Sequence, residues 1–283
     1  MDWFGGLKVL ALETRRGPEM AALIEKYGGL ATVAPSMRED KQDIQGRLHD
    51  FAGRVRRSPE QEVLVCMTGI GTRLFFKDLQ QYAPDAYQRL PQTTLLSRGT
   101  KPTQTLKSLG FAPHTAAKPH TYREVQDWLL DPSLAGELRG RHVTILEYGE
   151  ATPPPLLSAL SEAGAQVSPV PVYRCAFPED PQPLRNAVLG TVQGQFQVLM
   201  FSSGTQAVHF LTCARELGLE GPLRASLARM VVASIGPACS EALGELRLPF
   251  DLEANPHKMG ILVRAAAEHA PGLLARKRLA ALA

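Results

Sequence analysis

The sequence predicts an α/β protein with two lobes, each built on a parallel β-sheet. Two observations predict this fold. Apolar runs of strand length alternate with amphipathic helical segments along the whole chain, which is typical of βαβ units. Three segments of the first half also recur in the same order in the second half, which indicates an internal duplication.

The repeat is visible when the two halves are aligned. The stretch that begins at Leu7 aligns with the one at Arg141, which places Val33 on Val167. "VLVCMTGIGTRLFF", from residue 63, aligns with "VLMFSSGTQAVHFL", from residue 198, and "SRGTKPTQTLKSLGF", from residue 97, with "SIGPACSEALGELRL", from residue 234. Each aligned segment runs from a strand into a helix.

The strands follow from continuous apolar runs, which fit a parallel sheet that is covered on both faces. They are predicted at 7–12, 31–34, 63–67, 93–96, 142–146, 166–172, 197–201 and 229–233. Helices are predicted between them, because apolar residues such as Met20, Leu23, Ile24 and Tyr27 keep a helical spacing.

Two segments interrupt this alternation and divide the chain. Residues 33–43 are mostly polar, and residues 168–183 contain five prolines, which an interior strand does not accept. We therefore predict a discontinuous lobe one (1–35 and 175–283), a lobe two (40–167) and linker strands at 36–39 and 168–174. A single domain of 283 residues is the alternative that length alone leaves open.

The composition excludes several classes of protein. The chain is 44% hydrophobic and 21% charged, which is ordinary for a soluble globular protein. Its net charge is +3, and the basic cluster "GRVRRS" at 53–58 is better interpreted as a solvated helix end than as a nucleic-acid site. No signal peptide and no apolar run of membrane-spanning length is visible. We expect neither a nucleic-acid partner nor membrane association.

The four cysteines stand far apart and form no C-x-x-C motif. This pattern is typical of reduced, packed thiols in a reducing compartment, so we expect a cytoplasmic protein. We also expect a monomer.

The turns after the strands are the candidate binding sites. Ser202, Ser203 and Gly204 come between a strand and a helix, and Thr68 and Gly69 occupy the matching turn. In open parallel sheets, ligands bind beyond the carboxyl ends of the strands, and a helix N-terminus offers unpaired N–H donors to an anion. Plain helix capping is the simpler alternative for any single turn.

Other site motifs are absent or broken. "GIGTRL" at 69–74 lacks the third glycine of a dinucleotide fingerprint. No Walker A sequence, zinc-ligand spacing or G-x-S-x-G motif is present. We therefore predict no metal and no cofactor.

The order of five segments along the chain resembles that in the uroporphyrinogen-III synthase family. These segments are "VLALETRR", "TGIGTR", "VPVYR", "FSSGTQAV" and "SIGPACSEAL". The resemblance covers essentially the whole chain. It implies two flavodoxin-like lobes joined by a two-stranded linker, with the active cleft between them.

The resemblance also implies a cofactor-free reaction on a tetrapyrrole. The substrate would be hydroxymethylbilane, which loses its terminal hydroxyl as water and cyclises with inversion of the last ring to uroporphyrinogen III. A flexible polycarboxylate suits lobes that offer backbone N–H donors, and folding it end to end is proximity catalysis.

Tyr173 is the predicted catalytic residue, because it matches the family's tyrosine at the end of "VPVYR" and a phenol can donate a proton to the leaving hydroxyl. A packed linker aromatic is the alternative. The predicted substrate-binding residues are Arg15, Arg16, Thr68, Gly69, Arg98, Gly99, Lys101, Tyr148, Gly149, Ser202, Ser203, Gly204, Gly236 and Cys239.

Three positions depart from the family pattern. Cys239 and Pro102 stand where threonine is frequent, and Gly69 replaces a usual serine. These departures leave a second function class open, a non-catalytic two-lobed module that binds tetrapyrroles or other small polyanions. A nicotinamide-linked oxidoreductase is disfavoured by the broken glycine pattern.

Overall fold

The computed structural model of the chain describes residues 2–147, 152 and 154–280. It consists of two compact units. Unit 1 contains Met1–Arg38 and Ala176–Ala283, and unit 2 contains Glu39–Cys175. The chain therefore starts unit 1, builds all of unit 2 and then returns to complete unit 1.

The strands are short, and most of them coincide with the predicted apolar runs. They are β1 Lys8–Ala11, β2 Leu30–Val33, β3 Arg38–Lys41, β4 Glu62–Cys66, β5 Thr94–Ser97, β6 His114–Thr115, β7 His142–Leu146, β8 Gln166–Val170, β9 Tyr173–Ala176, β10 Val198–Phe201, β11 Val231–Ser234 and β12 Leu252–Glu253.

The helices lie between these strands. They are α1 Gly17–Lys26, α2 Gln45–Arg57, α3 Gly69–Tyr82, α4 Pro84–Arg89, α5 Thr100–Ser108, α6 Tyr122–Leu130, α7 Pro132–Ala135, α8 Pro154–Glu162, α9 Gln182–Val192, α10 Gly204–Glu216, α11 Glu220–Arg229, α12 Pro237–Glu245 and α13 Met259–Ala280.

Each unit is built on a five-stranded sheet. The order is β12-β11-β10-β1-β2 in unit 1 and β6-β5-β4-β7-β8 in unit 2. Neighbouring strands run parallel in both sheets. The predicted α/β class with two parallel-sheet lobes is confirmed.

Apolar residues cover both faces of the sheets, as continuous hydrophobic strands require. In β1, Leu10 packs into a cluster with Phe210 of α10, whereas Val9 and Ala11 pack on the other face with Leu262 of α13. All five side chains are 0% exposed. The strands are thus fixed by burial on two sides, which places their carboxyl ends and the following turns.

The registers of the two sheets correspond. Val198 pairs with Val9 in unit 1, and Val63 pairs with Val143 in unit 2, as the predicted repeat requires. The alignment of Val33 with Val167 is wrong by two positions. Val33 pairs with Ala11, the counterpart of Ile145, and Ile145 pairs with Pro169. The connection to β8 in unit 2 is two residues longer, which shifts the last strand of that segment.

The predicted linker segments end differently from the linker strands of the structure. β3 and β9 form a two-stranded sheet where the chain passes between the units. Residues 168–170 of the predicted linker belong instead to unit 2, as the end of its edge strand β8. The N–H of Val172 bonds to the carbonyl of Val170 across Pro171 at 2.9 Å. This tight turn ends β8 at Val170, so the strand predicted at 166–172 is shorter than expected.

The two equivalent sheet edges are protected to different degrees. In β8, Pro169 pairs with Ile145 in the ladder but has no N–H to offer a further strand, and Arg47 Nη1 donates to its carbonyl at 2.8 Å. In β2, no residue is charged and Leu30 is 57% exposed.

A cavity of about 470 Å³ runs along β2 and is also lined by residues of α9 such as Asn186. It contains none of the predicted site residues.

Candidate functional site

The turn after β4 places a hydroxyl at the start of α3. Thr68 is the N-cap residue of this helix, and its Oγ1 accepts the backbone N–H of Gly71 at 3.1 Å. The same oxygen lies 3.2 Å from the phenol oxygen of Tyr173. The structure therefore brings two predicted site residues together in unit 2, although they are 105 positions apart.

Tyr173 is buried at the start of β9. Its side chain is 4% exposed and packs with Phe75 and Leu146 in the core of unit 2. A Cβ on Gly71 would lie 3.4 Å from the tyrosine ring. Because Gly71 has no side chain, the phenol can approach the positive end of helix α3.

The matching turn in unit 1 is filled by the protein's own groups. Ser202 donates its hydroxyl to the carboxylate of Glu13, and Gln206 bonds to both the N–H and the Oγ of Ser202 at 2.7 and 2.8 Å. Glu13 also accepts the backbone N–H groups of Arg15 and Arg16 at 3.2 Å. Glu13 was not predicted as a site residue, although the repeat pairs it with Glu147.

The next residue, Ser203, is the N-cap of α10 and makes no side-chain capping bond. Its hydroxyl oxygen is buried without a hydrogen-bond partner among the described residues. The two equivalent N-caps, Thr68 and Ser203, therefore have different environments.

Gly69 and Gly204 have a packing role in the structure. A Cβ on Gly204 would lie 2.6 Å from the Cβ of Ala242 in α12, and one on Gly69 would lie 3.0 Å from Oγ1 of Thr105 in α5. These glycines let two helices approach closely in each unit. This contact explains both positions without a ligand.

Gly99 and Gly236 carry a repeated contact that the sequence reasoning missed. A Cβ on Gly99 would lie 2.9 Å from the imidazole of His120, and one on Gly236 would lie 2.8 Å from that of His257. His120 Nδ1 lies 3.1 Å from a backbone carbonyl, and His257 Nδ1 lies 2.7 Å from one. The Pro-His dipeptides of "KPH" and "NPH", 137 positions apart, are the signal that would have found this pair.

The basic candidates lie on the outer parts of the turns. Arg15 and Lys101 are exposed and Arg98 is partly buried. Arg16 pairs with Glu19 on the surface, with Nε 2.6 Å from Oε2. Tyr148 and Gly149 lie outside the described residues.

Metal-ligating side chains do not cluster in the described ranges. No group of three or more histidine, cysteine, aspartate or glutamate residues there could hold a metal ion. Over the same ranges, no helix is both long and apolar enough to cross a membrane.

A model of the family described as "Uroporphyrinogen-III synthase HemD" matches residues 18–264 of the chain. The chain belongs to the uroporphyrinogen-III synthase family. Among curated proteins, it is 23% identical to "Uncharacterized protein YjjA" of Bacillus subtilis strain 168, over 91% of this chain and 94% of that one.

Solved structures of uroporphyrinogen-III synthases have the same fold. A mutant enzyme from the extremely thermophilic bacterium Thermus thermophilus matches with a TM-score of 0.76 and 22% identity, over 94% of this chain and 99% of that one. The Helicobacter pylori 26695 enzyme matches with a TM-score of 0.51 and 14% identity, over 92% and 98% of the two chains.

Two departures from the pattern of the uroporphyrinogen-III synthase family lie at equivalent helix starts. Cys239 is 3% exposed in α12, and burial raises the pKa of its thiol to about 11. Pro102 is buried at the matching place in α5. The residues that follow Pro102 and Cys239 do carry hydroxyls. Thr103 Oγ1 contacts Ser97 Oγ at 2.5 Å, and Ser240 Oγ donates to Ser234 Oγ at 2.9 Å. These hydroxyls tie each helix to its neighbouring strand.

Proposed function

We propose that this chain is a uroporphyrinogen-III synthase that cyclises hydroxymethylbilane, with inversion of the last pyrrole ring and loss of water. The observation that carries the proposal is the phenol of Tyr173, which lies 3.2 Å from Thr68 Oγ1 at the start of α3 in a chain of this family. The position of the phenol near the carboxyl end of a parallel sheet supports this proposal, because sheets of this kind bind ligands at that end.

The chemistry requires one proton at the start. The C–O bond of the hydroxymethyl group breaks, and the oxygen leaves with the bonding electrons. Tyr173 supplies a proton so that water departs rather than hydroxide, and the pyrrole nitrogen lone pair forms the azafulvene. Ring closure then releases a proton, which returns to the phenolate. The net change is loss of one water, so no oxidant or reductant is consumed.

The substrate carboxylates are proposed to bind at the helix N-termini after the strands. The N–H groups at the N-termini of α3, α5, α10 and α12 suit anions, except that Pro102 in α5 and Pro237 in α12 have none and the Gly71 N–H of α3 bonds to Thr68. In unit 1 the side chain of Ser202 already bonds to Glu13, so we assign binding there to the backbone of Ser203 and Gly204. Arg15, Arg98 and Lys101 are proposed as additional partners for carboxylates.

The test is a product analysis. Purified protein receives hydroxymethylbilane without added metal or nucleotide, and the oxidised products are separated into isomers I and III. We expect isomer III to replace the isomer I that forms without enzyme. Size-exclusion chromatography with light scattering checks in the same sample whether the active species is the monomer we propose.

An unchanged yield of isomer I from folded protein at saturating substrate would contradict the enzyme. The buried Cys239 and Pro102, which replace frequent hydroxyl residues, favour a binding module as the second candidate. That module predicts tight binding of uroporphyrinogen III, measured by calorimetry, without any change of isomer ratio.

A further inference from the structure

A line of hydrogen-bonding groups leads from helix α3 to the phenol of Tyr173. The backbone N–H of Gly71 donates to Thr68 Oγ1 at 3.1 Å, and this oxygen lies 3.2 Å from the phenol oxygen. Since Gly71 lies in the first turn of α3, the line starts at the positive end of the helix.

The chemistry of a hydroxyl gives this line a direction. Thr68 Oγ1 accepts the Gly71 N–H and still has one proton to donate. If that proton goes to the phenol oxygen, the phenol keeps its own proton for another acceptor. All donors then point the same way, from the helix through Thr68 to Tyr173, and each bond polarises the next.

We propose that Thr68 is a positioning residue that donates its hydroxyl proton to Tyr173 and makes the phenol a stronger proton donor. This inference rests on the proposed function. When Tyr173 gives its proton to the departing hydroxyl, negative charge develops on the phenol oxygen. A donor that is already aimed at that oxygen stabilises the charge without reorganisation. The proton released at ring closure restores the phenol, so the relay is unchanged after each turnover.

The other unit shows that helix capping alone does not require this arrangement. Ser203 is the equivalent N-cap, yet α10 begins without a side-chain capping bond. Its hydroxyl makes no hydrogen bond to any residue that the structure describes. Of these two N-caps, Thr68 is the one that contacts a tyrosine, which is the difference that the relay explains.

The hydrogen bond can be tested without substrate. Tyrosines are labelled with ¹³C at Cζ, and the resonance of Tyr173 is the one lost in Tyr173→Phe. We expect Thr68→Val to move this resonance and Thr68→Ser to leave it near its wild-type position. Thr121→Val is the matched control, because Thr121 caps α6 in the same unit and accepts the N–H of Arg123. An unmoved resonance in Thr68→Val would overturn the proposal.

The direction of donation is tested by kinetics with hydroxymethylbilane. We expect Thr68→Val to lower kcat about tenfold with little change in KM, because a donor to a developing charge is lost. Thr68→Ser should retain most of the rate. A kcat for Thr68→Val that stays or rises would mean that the phenol donates to Thr68, and the relay would be wrong.

Two further variants separate the relay from helix capping. Thr68→Asp caps α3 well but, when ionised, only accepts hydrogen bonds, so kcat should stay low although the helix is stable. Incorporation of 3-fluorotyrosine at position 173 of Thr68→Val supplies a more acidic phenol and should recover part of the lost rate. Full activity of Thr68→Asp would contradict the relay. If isomer III never forms but the Tyr173 resonance moves, the proposed function fails and the hydrogen bond stands.

Discussion

The carboxylate of Glu13 accepts a hydrogen bond from the hydroxyl of Ser202, a residue 189 positions away along the chain. The contact joins the turn after β1 to the turn after β10, and Gln206 completes it from the first turn of α10. A carboxylate of the protein thus occupies part of the turn that the sequence predicts for a substrate anion. This internal anion orders the turn before any ligand arrives.

The first prediction concerns this carboxylate. Glu13→Gln replaces a charged acceptor by a neutral one, and we expect the free energy of unfolding to fall by about 1 kcal/mol. Urea denaturation measures this change. Glu19→Gln is the control, because Glu19 forms an exposed pair with Arg16 and its loss should change stability by less than about 0.5 kcal/mol. Equal effects of the two substitutions would show that the turn does not need its carboxylate.

The second prediction concerns the phenol. Tyr173→Phe removes one oxygen from a buried ring, so the fold and the affinity for product should change little. If the phenol donates to the leaving hydroxyl, kcat should fall by roughly a factor of 10². The control is Tyr82→Phe, since Tyr82 is 57% exposed and is the last residue of α3, at the opposite end of the helix from Thr68. A Tyr173→Phe variant with full turnover would remove the phenol from the mechanism.

The third prediction concerns the close helix contact in unit 1. Gly204→Ala places a methyl group 2.6 Å from the Cβ of Ala242, so the free energy of unfolding should fall by about 1–3 kcal/mol. Adding Ala242→Gly should recover part of this loss, and the double-mutant cycle measures the coupling. Gly244→Ala, where no atom lies within 4 Å of the new methyl, should instead stabilise by about 0.5–1 kcal/mol. Additive effects at 204 and 242 would contradict the contact.

The fourth prediction concerns pH. Burial raises the pKa of the Cys239 thiol from 9.0 to about 11, so the unfolded chain releases this proton at lower pH than the folded one. The stabilisation from the neutral thiol is therefore complete below pH 9 and is lost as the pH rises to about 11. Compared with Cys239→Ala, the wild type should lose about 2–3 kcal/mol of stability over this range. Urea melts from pH 8 to 11 test it, and parallel curves would refute it.

The sheets were predictable from the sequence because local physics determines them. Val231, Val232 and Ala233 form a continuous apolar run that is stable only when both faces are covered, and the structure buries all three. The two-residue strands β6 and β12 were missed, since His114–Thr115 and Leu252–Glu253 are too short to show a pattern.

The site was harder to predict, because its contacts join residues that are distant along the chain. The sequence singled out both Thr68 and Tyr173, but nothing local indicates that they touch. The filling of the unit 1 turn by Glu13 depends on the order of strands β1 and β10 in the sheet. By contrast, the imidazoles of His120 and His257 were within reach, because their spacing repeats that of Gly99 and Gly236.

Strand β2 has a practical consequence for work with this protein. The N–H groups of Leu30 and Ala34 bond to the carbonyls of Leu7 and Ala11 at the two ends of β1, so by alternation the peptide groups of Ala31 and Val33 face away from the sheet. An uncharged edge with an exposed leucine is a template for strand pairing between molecules, whereas β8 is blocked by Pro169. We expect the solubility limit of concentrated samples to depend on the edge strand Leu30–Val33 more than on the thermodynamic stability of either unit.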